Sequence, residues 1–149
     1  MSQRASYTIG VLPGDGIGQE VIAEAEKILR AVGAKYGHLF VLEHGLVGGA
    51  AMDATGEPLP ESTLALSRAA DAILFGAVGD PKYDDPRAKV RPEQALLGLR
   101  KRLGLYANLR PVWVHPALAD ASPLRPEAVR GVDPVSYTHL TLPTIILPC

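Results

Sequence analysis

Hydrophobic positions along this chain switch between short apolar runs and a period near 3.6 residues, the two patterns that separate strands from helices. Tyr7 to Leu12 predicts a first strand, and it runs into the turn Pro13-Gly14-Asp15-Gly16-Ile17-Gly18. From about Gln19 to Val32, the residues Val21, Ile22, Ala25, Ile28, Leu29 and Val32 fall at helical spacing, and Gly33 reads as the C-terminal stop. A second strand is predicted around Leu39 to Glu43. Glycine-rich 45–49 and Thr55-Gly56-Glu57-Pro58 then read as loop. Pro60 to Ala70 suits a helix, with Leu64, Ala65 and Arg68 at helical spacing and Pro60 tolerated in the first turn. Ala72 to Val78 is continuously apolar, as a strand buried on both faces of a parallel sheet would be. The alternation of helix and strand predicts an α/β fold with right-handed crossovers.

The stretch from Gly79 to Pro92 is rich in proline and charge, so it reads as an exposed loop at the end of the third strand. Ligands of open α/β sheets collect beyond the carboxyl ends of strands, although a solvated connector has the same composition. Next, Glu93, Leu96, Leu97 and Arg100 stand at i, i+3, i+4 and i+7, and on a helix they span roughly 100° of one face. Arg110 comes later, in an extended segment. Two guanidinium forks suit a dicarboxylate, because planar arginine binds carboxylates bidentately and keeps its charge. Spacing alone equally fits an amphipathic helix whose core stripe is Leu96, Leu99 and Leu103.

The glycine loop is less specific. Its pattern is G-x-G-x-G, neither the dinucleotide G-x-G-x-x-G nor a P-loop, and a strand-to-helix turn needs glycines for backbone reasons as readily as for a phosphate cradle.

A length of 149 residues fits one domain, and a net charge of −1 gives no electrostatic reason to expect nucleic acid or an anionic membrane as partner. Apolar runs are too short to span a bilayer, so a cytoplasmic location is expected. Cys149 is the single cysteine, and His38, His44, His115 and His139 lack metal-ligand spacing.

The segments VLPGDGIGQEV, GGAAMDATGEPLP, AILFGAVGDPKYDD, RPEQALLGLRKRLGLYANLRPV and SPLRPEAVRGVD, in that order between Tyr7 and about Asp133, resemble the N-terminal part of the β-decarboxylating dehydrogenases. This family includes isopropylmalate, isocitrate, homoisocitrate and tartrate dehydrogenases. The resemblance implies an incomplete isopropylmalate-dehydrogenase-like α/β fold, a parallel-sheet core with flanking helices that is not a standard Rossmann domain. It implies a first domain over 1–109, the start of a second over 110–133, and a homodimeric parent. Arg100 and Arg110 match the arginines that hold the malate carboxylates, and Leu96 and Leu97 match residues lining the isopropyl pocket. Glu93 matches an acid beside the nicotinamide ribose that also helps set substrate choice. Ile17 matches a residue near the adenine, and Asp80, Pro81, Lys82 and Tyr83 fall in the nicotinamide cofactor site. Asp80 stands where many members carry glycine.

The activity that this resemblance implies is oxidation and decarboxylation of 3-isopropylmalate to 4-methyl-2-oxopentanoate in leucine biosynthesis, with NAD and with Mg2+ or Mn2+. Leucines at 96 and 97 favour an alkyl group over the γ-carboxylate of isocitrate. A tartrate- or malate-type dehydrogenase, and a short protein that binds a nucleotide or carboxylate without chemistry, are the alternatives. The metal-binding aspartates, the catalytic lysine and tyrosine and a third substrate arginine have no matching positions here. After Asp133 the resemblance stops. Pro134, Pro143 and Pro148 make 134–149 a poor central strand, and it reads as a foreign tail in which Tyr137 is not the catalytic tyrosine. A fragment inactive by itself, with exposed apolar surface, is the expectation.

Overall fold

A computed structural model describes residues 5–85, 87–111, 125 and 135–139. The chain divides into two units, Met1–Leu103 and Gly104–Cys149. In the first, β1 (Ser6–Gly14) leads into α1 (Gly18–Tyr36), β2 (Leu39–His44), α2 (Gly49–Thr55), α3 (Glu61–Ala69) and β3 (Ala72–Ala77). A single 3-10 turn, Pro81–Tyr83, and helix α4 (Gln94–Arg102) complete it. In the second unit, β4 (Ala107–Pro111) pairs antiparallel with β5 (Val135–His139), with Arg110 opposite Ser136. Pro134 and Pro143 flank those five residues, which leaves an uninterrupted run of backbone donors for the ladder. The remainder of the expected tail, and most of 110–133, lie outside the described residues.

The first unit is a parallel sheet of order β2-β1-β3 with helices on both faces. Alternation along β1 sends Ile9 and Val11 to one face, where they meet Ile22 and Leu29 of α1 together with Phe40, Leu42 and Leu74. Leu12 points the other way. It packs there with Val47, Leu64, Ala95 and Leu99, and with the half-buried Ile73, Phe75 and Leu103.

Several expectations are corrected. β3 lies at an edge of this sheet and is only half-buried; the buried strand is β1, which has a neighbour on each side. Between the two segments read as loop, and taking in Gly49 and Thr55 from them, the chain forms α2, because a short Ala-rich turn between two glycines carries too little periodicity to announce itself. Gly33 does not stop α1. The helix runs on to Tyr36 and ends at Gly37, whose φ of 77° supplies the left-handed C-cap. Gly33 is buried because β2 begins against it: a Cβ there would stand 2.9 Å from the carbonyl oxygen of His38. Of the six α1 residues at helical spacing, Ile22 is buried, whereas Val21, Ile28 and Val32 are exposed.

Candidate functional site

The carboxyl ends of β1 and β3 are held together by backbone contact at glycines. A Cβ on Gly14 would stand 1.9 Å from the carbonyl oxygen of Ala77, and one on Gly18 would stand 2.2 Å from that of Pro13. Gly14 and Gly18 therefore close the loop down on β3, whereas Gly16, at a φ of 52°, faces open space and serves the turn itself. The side-chain amide of Gln19 adds a 2.7 Å hydrogen bond to the carbonyl oxygen of Gly14.

Asp15 ties this edge to two further segments. Its carboxylate, 7% exposed, accepts from the amide of Gly49 at the start of α2 (2.7 Å) and from that of Gly79 just after β3 (3.1 Å). Its own amide donates to Ala77 at 2.9 Å. Sequence reasoning did not single out Asp15: an aspartate between glycines has the appearance of an ordinary turn residue.

Beyond Gly79 the chain makes the turn Asp80–Tyr83, in which Asp80 Oδ1 accepts from the amide of Lys82 at 2.8 Å. Asp53 of α2 reaches across to this turn, and one of its oxygens accepts both from Lys82 Nζ and from Tyr83 Oη at 2.5 Å. The ammonium of Lys82 beside it holds the Asp53 carboxyl below its ordinary range, with the Tyr83 hydroxyl adding to the effect. The same contact raises Lys82 and Tyr83 above their ordinary values. Asp53 was hidden with the helix that carries it.

Glu93, at the start of α4, completes this edge. Its Oε1 lies 3.3 Å from where a Cβ on Gly79 would stand, so the carboxylate sits directly beside the loop after β3. Along α4, Ala95 and Leu99 enter the core, and Gly98 lets the helix approach Leu59. Glu93, Leu96, Leu97 and Arg100 occupy the arc turned away from that core. Leu97 is 60% exposed, while Leu96 and Arg100 are half-buried. The core stripe is thus Ala95, Leu99 and Leu103, displaced by about one residue from the one expected through Leu96. Arg102, on the core-facing side, binds Glu61 of α3 at 2.9 Å. Ile17, 60% exposed at the start of α1, belongs to the same carboxyl edge as the Asp80–Tyr83 turn. Arg110 is exposed on β4, within the second unit.

For a nicotinamide dinucleotide the residues at this edge fit, with an exposed aliphatic side chain at Ile17 for a base and a carboxylate at Glu93 for ribose hydroxyls. For a divalent cation they do not, since no three His, Cys, Asp or Glu side chains converge among the described residues. No helix among the described residues is long and apolar enough to cross a membrane.

Comparison with known proteins adds independent findings. The family profile described as isocitrate/isopropylmalate dehydrogenase matches residues 8–142. The 3-isopropylmalate dehydrogenase of Geobacillus kaustophilus is 57% identical over 136 residues, which is 91% of this chain and 37% of that protein. Its namesake from Anaeromyxobacter dehalogenans is 61% identical over 133 residues, 89% of this chain and 38% of that protein. Among solved structures, an apo β-decarboxylating dehydrogenase from Thermococcus kodakarensis superposes with a TM-score of 0.61 at 35% identity, over 89% of this chain and 33% of its own. This chain therefore spans well under half the length of the relatives it matches.

Proposed function

This chain belongs to the isocitrate/isopropylmalate dehydrogenase family, and from that premise we propose that it carries the substrate helix and part of the cofactor surface of an NAD-dependent 3-isopropylmalate dehydrogenase of leucine biosynthesis. The observation that carries this reading is the outward face of α4, where Leu97 and Leu96 lie beside Arg100. An isopropyl group against two leucines gains roughly 1.5–3 kcal/mol on burial, whereas an unpaired carboxylate placed there would incur a larger desolvation penalty. That preference separates isopropylmalate from isocitrate.

In this reading Arg100 and Arg110 orient the malate carboxylates, which fixes the substrate hydroxyl and its carbon for reaction. Glu93 accepts hydrogen bonds from the nicotinamide ribose. Ile17 packs near the adenine, and Asp80, Pro81, Lys82 and Tyr83 bound the nicotinamide side. NAD held at this surface would supply the hydride acceptor for oxidation of the hydroxyl carbon, with the hydroxyl proton lost as the carbonyl forms; loss of the β-carboxyl group as carbon dioxide would leave an enolate that takes up a proton. The parent protein is proposed to act as a cytoplasmic homodimer with Mg2+ or Mn2+, and the cation's ligands are not among the described residues. The 149-residue chain by itself is proposed not to turn over.

The test replaces the matching part of the Geobacillus kaustophilus enzyme with residues 1–133. The chimera should reduce NAD with 3-isopropylmalate and not with isocitrate. Arg100→Ala should lower kcat/KM by on the order of a hundredfold, the cost of a lost charged contact. Unchanged catalysis in that variant removes Arg100 from the site, and NAD reduction by the 149-residue chain alone refutes its proposed inactivity.

A further inference from the structure

The Asp80–Tyr83 turn is the part of the proposed cofactor surface with the least internal support. A single turn of 3-10 helix has poor hydrogen-bond geometry and little of its own to hold it. Its internal bonds are the Asp80 cap on Lys82 and the 2.9 Å bond from the amide of Tyr83 to the carbonyl oxygen of Asp80. Two carboxylates connect it to the scaffold. Asp15 holds Gly79 immediately upstream. Asp53, projecting from α2, accepts from both Lys82 and Tyr83. The Tyr83 ring also lies over Gly49, with Cε2 2.9 Å from the position of a Cβ there, and Gly49 is itself fixed by Asp15. The start of α2, the end of β3 and the turn thus form a closed circuit joined by two aspartates.

We infer that Asp53 is a positioning residue for the cofactor surface: by binding Lys82 and Tyr83 together it holds the Asp80–Tyr83 turn against α2 in the conformation that meets the nicotinamide dinucleotide. The inference rests on the proposed cofactor role of that turn. It has a consequence for Lys82. With its ammonium answered by Asp53 and lying 5.2 Å from the Tyr83 ring centroid, Lys82 serves as a strut and not as a free cation for a phosphate.

The test compares the full 149-residue chain with its Asp53→Asn, Asp53→Glu and Tyr83→Phe variants. Backbone amide exchange at Lys82 and Tyr83 is followed by mass spectrometry, and NADH binding, with the same substitutions placed in the chimera with the Geobacillus kaustophilus enzyme, by the fluorescence of the nucleotide. Asp53→Asn should accelerate exchange at both amides and weaken NADH about fivefold or more, with Asp53→Glu restoring much of both. Tyr83→Phe, which removes one hydroxyl and leaves the carboxylate intact, should give a smaller change in the same direction. Unchanged exchange in Asp53→Asn overturns the anchoring. NADH affinity that is unchanged, or raised because Lys82 is freed for the pyrophosphate, overturns the link to the cofactor. Failure of the unsubstituted chimera to bind NADH overturns both the cofactor reading and that link, while the exchange measurement still decides whether Asp53 fixes the turn.

Discussion

Asp15 and Gly49 lie 34 positions apart and are joined by a 2.7 Å hydrogen bond from the Gly49 amide to the buried Asp15 carboxylate. The other carboxylate oxygen takes the amide of Gly79. A charged acceptor serving two backbone donors, in a site with little water, binds both the start of α2 and the exit of β3 to the glycine loop. Asp15→Ala would leave both amides without this acceptor, and the expected loss is about 2–4 kcal/mol in urea denaturation. Asp15→Asn should lose less, since one carbonyl oxygen remains to accept. A loss under about 0.5 kcal/mol for alanine would show that these bonds do not organise the edge.

Gly76 defines the second contact at this edge. A Cβ on it would stand 2.1 Å from the carbonyl oxygen of Pro13 and 3.0 Å from Ile22 Cγ1, so an added methyl group forces β3 away from β1. Gly76→Ala is expected to destabilise by about 1–3 kcal/mol or more through overpacking. Gly98→Ala meets only the Leu59 side chain, at 3.3 Å, and gains helix propensity. Thermal melts of the two variants should therefore differ clearly, and equal melting temperatures would contradict this packing.

Much of this arrangement was legible in the sequence, and the exceptions have physical causes. The strand–turn–helix at Tyr7–Val32 and the helix at Pro60–Ala70 carry enough apolar periodicity to be read directly. The shared face of Glu93, Leu96, Leu97 and Arg100 is set by the 3.6-residue repeat, but which side of α4 meets the core is not. Ala95 and Gly98, small enough to be overlooked, set that side because they let the helix approach Leu12 and Leu59. Asp15 and Asp53 escaped notice because their partners are backbone amides and side chains 29 or more positions away. No local pattern encodes such a contact. The continuous apolar run of β3 reads as a strand buried on both faces, yet β3 is a half-buried edge strand, because burial depends on the place in the sheet order, which an apolar run does not encode.

The Asp53–Lys82–Tyr83 contact should respond to pH at both ends of the range. Asp53 is depressed in the folded chain, so its contribution is present above the ordinary carboxylate pKa of about 4 and is lost as pH falls through its lower folded value. Lys82 and Tyr83 are raised, so their contributions are complete below about 10 and are lost as pH climbs through their folded values. Asp53 and Lys82 are exposed and Tyr83 is half-buried, which keeps the effect local to the turn. Proton titration of the Tyr83 ring resonances should show a plateau across the neutral range with changes at acid and alkaline pH. Asp53→Asn should abolish the acid step. An acid step that survives in that variant would assign it to another carboxylate.

Leu97 and Leu99 provide the sharpest separation of binding from stability. They are neighbours on one helix, but Leu99 is 4% exposed within the core that contains Leu12, Val47 and Leu64, whereas Leu97 is 60% exposed on the opposite arc. Truncating Leu99 leaves a cavity, and Leu99→Ala should cost about 2–5 kcal/mol of stability. Leu97→Ala should stay within about 0.5 kcal/mol. In the chimera with the Geobacillus kaustophilus enzyme the order reverses for substrate choice. Leu97→Ala should raise KM for 3-isopropylmalate roughly tenfold, from the lost apolar contact with the isopropyl group, while changing KM for malate little. A Leu97→Ala variant that discriminates between the two substrates as well as the parent would remove this leucine from the pocket, without touching the place of Leu99 in the fold.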